Sequence, residues 1–171
     1  MITCDRIHIV PFDMKYLKNY YDEFNTEITK YQWPDPFESI EDARSALQGF
    51  LNEMAREETL LYSLLSKDDA FIGSVEIHGL AEDCPELGIW VKEAEQGKGY
   101  AYEALNAFLD YVHSKYGKIQ FYYEADIRNA GSIKLLHKFN AKYDIVEKNL
   151  EELTTNSGKK LKLQGYVLRV K

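Results

Sequence analysis

Along this chain apolar positions alternate, run together or step by three and four, and each habit predicts a kind of element. Arg6-Ile7-His8-Ile9-Val10 reads as a short first strand stopped by Pro11. Met14, Leu17, Tyr20/Tyr21 and Phe24 return at helical spacing over Met14 to Phe24. Trp33-Pro34-Asp35-Pro36-Phe37 cannot continue that helix, because each proline restricts itself and the residue before it. Ser39 with Asp42 fits a capping box, and Ala43, Leu47, Phe50, Leu51 and Met54 form the apolar stripe of the helix behind it. Leu60 to Ser66 and Phe71 to His78 are strands joined at Asp68-Asp69, a hairpin. Pro85 to Lys92 is another strand, with Leu87, Ile89 and Val91 on one face and Glu86, Gly88 and Trp90 on the other. Ala101, Leu105, Phe108 and Val112 mark a helix that ends near Gly117. Ile119 to Ala125 is an aromatic-rich strand, and Asn129 to Phe139 a short helix with Ile133, Leu136 and Phe139 on one face. Strands over Tyr143 to Val146 and Leu161 to Val170 close the chain, with a loop over 147–160 between them.

Short turns join the early strands, so they pair antiparallel. A helix joins the strands at 85–92 and 119–125, which makes them a parallel crossover. The expected fold is α/β: a mixed, mostly antiparallel twisted sheet with helices on both faces.

Composition narrows the function. At 171 residues the chain is expected to form a single domain over 1–171. Lys and Arg total 21 against 28 Asp and Glu, a net charge of −7, which argues against binding nucleic acid by charge. Two cysteines, Cys4 and Cys84, are too few for a disulfide scaffold and form no C-x-x-C pair, so no metal site is expected. The N-terminus lacks a basic stretch followed by an apolar one, and no run approaches the roughly 18 apolar residues of a membrane span. The expected setting is the cytoplasm, with no membrane partner.

The segment richest in chemistry is Gln96-Gly97-Lys98-Gly99-Tyr100-Ala101, between a strand and a helix. Gly97 and Gly99 let the backbone turn with no Cβ in the way. The helix start adds unpaired N–H groups and partial positive charge, the makings of a phosphate nest. Lys98 adds a point charge. A plain turn with no ligand is the alternative. The P-loop pattern is absent, and the dinucleotide fingerprint would need a third Gly or Ala where Tyr102 stands and would follow the first strand.

The order Glu86-Leu87-Gly88-Ile89-Trp90, Gln96-x-x-Gly99-x-Ala101, then Asn129-x-x-Ser132 resembles the GNAT superfamily of acetyl-CoA-dependent N-acetyltransferases. The Asn-x-x-Ser-x-x-x-Leu run and Trp33-Pro34 ahead of a capped helix resemble its RimJ/RimL-like branch, which holds ribosomal-protein N-terminal and polyamine acetyltransferases. The resemblance covers roughly residues 5 to 147. It implies a GNAT-like acyl-CoA acyltransferase fold with a splayed parallel strand pair, and acetyl-CoA as donor with coenzyme A as product. It implies that the amides of Gln96, Gly97, Lys98, Gly99, Tyr100 and Ala101 receive the pyrophosphate. The backbone of Ile89, Trp90 and Val91 would receive the pantetheine arm, which Asn129 also bonds, while Ser132 lies near the thioester sulfur. An N–H near Val91 would polarise the acyl carbonyl. Acceptors would be a small-molecule amine such as a polyamine, or a protein N-terminus, and the family pattern allows a homodimer.

Two departures bear on mechanism. Many GNAT enzymes carry an acidic tyrosine seven residues after the Asn; here Leu136 stands there, so Ser132 inherits the role, with Tyr122 and Tyr123 as other candidates. An ammonium must lose a proton before it attacks, and Glu86 is the expected base, with Glu151 and Glu152 next. The competing reading is a non-catalytic acyl-CoA-binding or sensor module, supported by the missing tyrosine.

Overall fold

The computed structural model describes residues 1–171. In chain order the elements are β1 (Ile2–Thr3), β2 (Ile7–Pro11), α1 (Leu17–Glu23), α2 (Ile40–Ala55), β3 (Thr59–Ser66), β4 (Phe71–His78), β5 (Glu86–Val91), α3 (Tyr100–Tyr116), β6 (Gln120–Asp126), α4 (Ala130–His137), β7 (Tyr143–Thr154) and β8 (Lys160–Val170). Eight strands form one sheet in the order β1-β2-β3-β4-β5-β6-β8-β7. Every neighbouring pair is antiparallel except β5–β6.

Helices cover both faces, as the two apolar clusters show. On one face α3 and α4 bring Leu105, Phe108, Leu109 and Leu136 onto Phe121, Tyr123 and Leu168. On the other, α1 and α2 bring Leu17, Tyr20, Ala43 and Leu47 onto Leu61, Leu65, Phe71 and Trp90. A strand covered on both sides need not alternate, and β3 is buried from Thr59 through Leu65. Phe108 has no exposed surface; its truncation to Ala would cost about 3–5 kcal/mol.

The local signals act as expected. Ser39 Oγ accepts from the Asp42 N–H at 3.1 Å and starts α2. Gly117, at φ 68°, ends α3. The structure also corrects the sequence reading. A two-residue β1 precedes β2, the first helical segment opens with a 3₁₀ turn at Met14–Tyr16, and Pro11 lies inside β2 opposite Tyr62. The expected loop over 147–160 is largely strand, since β7 runs to Thr154 and only 155–159 turn. The edge position explains the miss: most of β7 is exposed on both faces, so Glu147 to Glu152 carry no hydrophobic alternation. A register shift between Glu147 and Leu150 breaks the period further.

Candidate active site

The site grows from the way β5 and β6 meet. They are in register at a single position, Glu86 opposite Tyr122, where the Tyr122 N–H donates to the Pro85 carbonyl at 2.9 Å. Beyond it they splay, because β6 follows β8 over seven register positions while β5 follows β4. The Lys92 N–H donates to the Ile72 carbonyl at 2.8 Å, which sets the alternation of the β4–β5 ladder. Trp90 and Gly88 therefore bond β4, and Ile89 and Val91 turn their peptide groups toward β6 and the wedge.

That alternation separates the three expected strand residues. Trp90 turns its backbone to the β4 ladder rather than to the wedge, and its ring is buried edge-on to Tyr20 with centroids 5.0 Å apart. Ile89 and Val91 remain, and the Val91 carbonyl is already taken by Gln96 Nε2 at 3.1 Å. Gln96 thereby ties the loop back to the strand it leaves.

The loop has the backbone that the glycines foretold. Gly97 and Gly99 lie at φ 76° and 83°, a left-handed conformation that a side chain strains. Gly99 is the N-cap of α3 and supplies no side-chain acceptor, so the first-turn amides keep their donors free of a cap. Lys98 is less available than expected, because its ammonium pairs with Glu95 at 2.8 Å. Tyr100 lies under the guanidinium of Arg6, 4.6 Å from its ring centroid.

Across the wedge, Asp126 ends β6 and braces the turn into α4. Its side chain is fully buried and accepts from the Arg128 N–H and guanidinium and from the Lys162 N–H, at 2.8–3.0 Å. These bonds outweigh burial and lower its carboxyl to about 2. The Asp126 carbonyl receives the Asn129 N–H at 2.9 Å. Asn129 caps α4, its Oδ1 accepting from the Ser132 N–H at 3.1 Å, while its side-chain NH₂ makes no bond within the chain. Leu136 is buried in the core. Ser132 Oγ lies 2.5 Å from the Tyr123 hydroxyl, which also reaches the Ser132 carbonyl at 3.1 Å. Burial pushes the Tyr123 phenol up to about 12, against the opposing bond from Ser132. A phenol from the strand beneath thus lies beside Ser132, while the helix carries Leu136.

The other face of the splay holds a carboxylate that sequence reasoning passed over. Glu124 follows Tyr122 on the same face of β6, opposite Gly165 on β8. Burial raises its carboxyl to about 7, followed by the charge of Glu86, a hydrogen bond with Glu86, and the charge of Glu151. Two glycines nearby make room for neighbouring side chains, Gly165 for the Tyr122 ring and Gly88 for the Glu76 carboxyl. A Cβ at Gly165 would lie 2.2 Å from the Tyr122 hydroxyl, and one at Gly88 would lie 2.7 Å from Glu76 Oε1. Glu86, Glu124 and Glu151 have no basic partner within 4.0 Å. Glu152, on alternate register from Glu151, pairs instead with Lys162 at 3.9 Å. A cavity of about 280 Å³ beside Glu86 is lined by His78, Gly79, Glu82, Cys84 and Tyr122.

Residues 6–142 match the acetyltransferase (GNAT) domain. The chain belongs to the GNAT acetyltransferase family. Membership assigns its reaction class, acetyl transfer from acetyl-CoA to an amine. An uncharacterized N-acetyltransferase p20 of Bacillus licheniformis is 27% identical over 118 residues, 67% of this chain and 66% of that protein's length. Among solved structures, RimL, a ribosomal L7/L12 alpha-N-protein acetyltransferase in complex with coenzyme A, superposes with TM-score 0.84 at 14% identity, over 99% of this chain and 97% of that one. Spermidine N-acetyltransferase from Vibrio cholerae, in complex with CoA and spermine, gives TM-score 0.78 at 19% identity, over 95% of each chain. The branch expected from the sequence is therefore the one that the fold resembles.

The residues fit acetyl-CoA on two observations: two left-handed glycines that leave the loop bare, and a strand pair that opens directly before it.

Proposed function

We propose that this GNAT domain acetylates a small cationic amine in the cytoplasm, with Glu124 and Glu86 holding the acceptor's proton. The observation that carries this reading is the pairing of those two carboxyls at the vertex of the splay with no lysine or arginine within 4.0 Å to balance them. Bound acetyl-CoA supplies an activated acyl thioester. The loop amides from Gln96 to Ala101 bind its pyrophosphate, and the peptide groups of Ile89 and Val91 extend the sheet to its pantetheine arm, with the Asn129 NH₂ as a further donor. An ammonium is unreactive until deprotonated, and Glu124 takes that proton on its carboxylate. A base near 7 is matched to neutral pH, and the adjacent charge of Glu86 raises its proton affinity. Ser132, backed by the protonated Tyr123 phenol, delivers a proton on the sulfur side.

The same carboxylates favour acceptors with a second positive charge, for which the cavity beside Glu86 offers Glu82 and the Tyr122 hydroxyl. His78, half-buried on the same wall, opposes such a charge when protonated; burial favours its neutral form, but Glu76, Glu86 and Glu53 outweigh it and raise its pKa. The free thiols Cys4 and Cys84 accord with a reducing compartment, and no helix is long and apolar enough to cross a membrane.

Thiol release from acetyl-CoA across a panel of monoamines, diamines and polyamines tests the reading. Diamines and polyamines are expected to give the highest kcat/KM. Equal rates for neutral-tailed and cationic-tailed amines would remove the role given to the carboxylates, and coenzyme binding without turnover on any amine would favour a sensor.

A further inference from the structure

The coenzyme loop is exposed from Gln96 to Gly99, yet a residue more than ninety positions away holds it. Arg6, just before β2, directs its donors at the loop and at the helix behind it. Its backbone N–H donates to Glu103 Oε1 and its Nε to Glu103 Oε2, both at 2.7 Å. Its Nη1 donates to the Lys98 carbonyl at 2.7 Å. The guanidinium stacks on Tyr100, and its Nη2 lies 3.3 Å from where a Cβ at Gly99 would be. One side chain thus contacts Lys98, Tyr100 and Glu103 and closes the space beside Gly99.

Glu103 explains why this clasp matters. It lies in the first turn of α3, where its N–H bonds the Gly99 carbonyl at 3.2 Å. A carboxylate in the first turn is attracted toward the free amides by the helix dipole, and side chains on a helix lean toward its N-terminus. Here the cap is a glycine with no acceptor of its own, so nothing else competes for those amides. Folded back, Glu103 would occupy donors that a phosphate needs and place like charge beside it. Both of its oxygens are instead engaged by Arg6.

We propose that Arg6 is a positioning residue for coenzyme binding, which draws the Glu103 carboxylate off the first-turn amides of α3 and pins the Lys98 carbonyl of the loop. This rests on the reading of the loop as the pyrophosphate site. The carboxylate and the guanidinium both belong to this chain, so the cradle is set before any ligand arrives and its cost is met during folding.

Calorimetric titration of the full chain with coenzyme A, and with phosphate-free pantetheine, tests it. Arg6→Gln is expected to raise the Kd for coenzyme A about 3–30-fold, with no comparable change for pantetheine. Adding Glu103→Gln to Arg6→Gln is expected to recover a large part of that loss, because the competing charge is gone. Arg6→Lys, which keeps the charge but not the fork, is expected to fall between wild type and Arg6→Gln, and serves if Arg6→Gln does not fold. Circular dichroism establishes that each variant is folded. A folded Arg6→Gln that binds coenzyme A as wild type does overturns the proposal, as does a double variant no better than Arg6→Gln alone. A wild type that binds no coenzyme A overturns the loop reading itself, and this proposal with it.

Discussion

From Val91 to Tyr100 the chain presents glycines, peptide groups and a helix start; on the same strand, a few residues earlier, it presents carboxylates gathered from β5, β6 and β7. In the proposed function the first region reads a ligand with backbone and the second with side-chain charge. Backbone recognition depends on residues close in sequence: Gln96, Gly97, Gly99 and Ala101 are near neighbours whatever the rest of the fold does. The carboxylate face depends on register, since Glu86, Glu124 and Glu151 meet only because β5 pairs β6 at Glu86–Tyr122 and β7 runs on past Val146. Substitutions in the first region should therefore act on the coenzyme, and those in the second on the amine.

The largest separation is expected from Gly99→Asp. Strain at a left-handed position and a carboxylate beside the pyrophosphate should together weaken acetyl-CoA binding about 100-fold or more. Calorimetry on the folded variant checks this, and an unchanged Kd would remove the loop assignment. Next is the Ser132–Tyr123 pair. Ser132→Ala should lower kcat about 100-fold, and adding Tyr123→Phe should cost little more, because the two hydroxyls act as one relay. Additive losses in the double variant would mean separate roles. Asn129→Ala should raise the KM for acetyl-CoA about 2–13-fold, the worth of one neutral hydrogen bond; no change in KM would leave Asn129 as a helix cap alone.

The smallest effect concerns stability. The folded Glu124 carboxyl is raised, so the native state holds a proton that the unfolded chain releases at lower pH. That contribution is present below the unfolded value and is lost as pH rises through about 7. Glu124→Gln should match wild type near pH 4 and exceed it near pH 8, by about 1 kcal/mol or less once solvent screening at this half-exposed site is counted. Denaturant midpoints at the two pH values check the sign. Asp126 runs the opposite way, lowered to about 2, so the brace beneath Asn129 weakens only as pH falls below the ordinary carboxyl range toward 2.

The same contrast explains what was legible in the sequence. Periodicity placed every helix and all but the first strand, and the capping signals at Ser39 and Gly117 mark real helix ends. Glycine spacing placed the loop. Periodicity could not reveal the extent of β7, whose exposed edge residues carry no pattern, nor the peptide orientation that separates Trp90 from Ile89 and Val91. Glu124 was one of several strand acids until register put it beside Glu86. Arg6 lies outside any local motif around the loop, so only the fold shows that it clasps Lys98 and Glu103.

The most direct test of the carboxylate face is the ratio of kcat/KM for the amine between wild type and Glu124→Gln across pH 5 to 9, since the ratio cancels the acceptor's own ionisation. With Glu124 as the proton acceptor, the ratio should reach about 100-fold at alkaline pH and shrink toward unity as pH falls below about 7 and the wild-type carboxyl takes up its proton. A ratio that stays flat across the range would contradict the account and leave Glu124 a structural carboxyl.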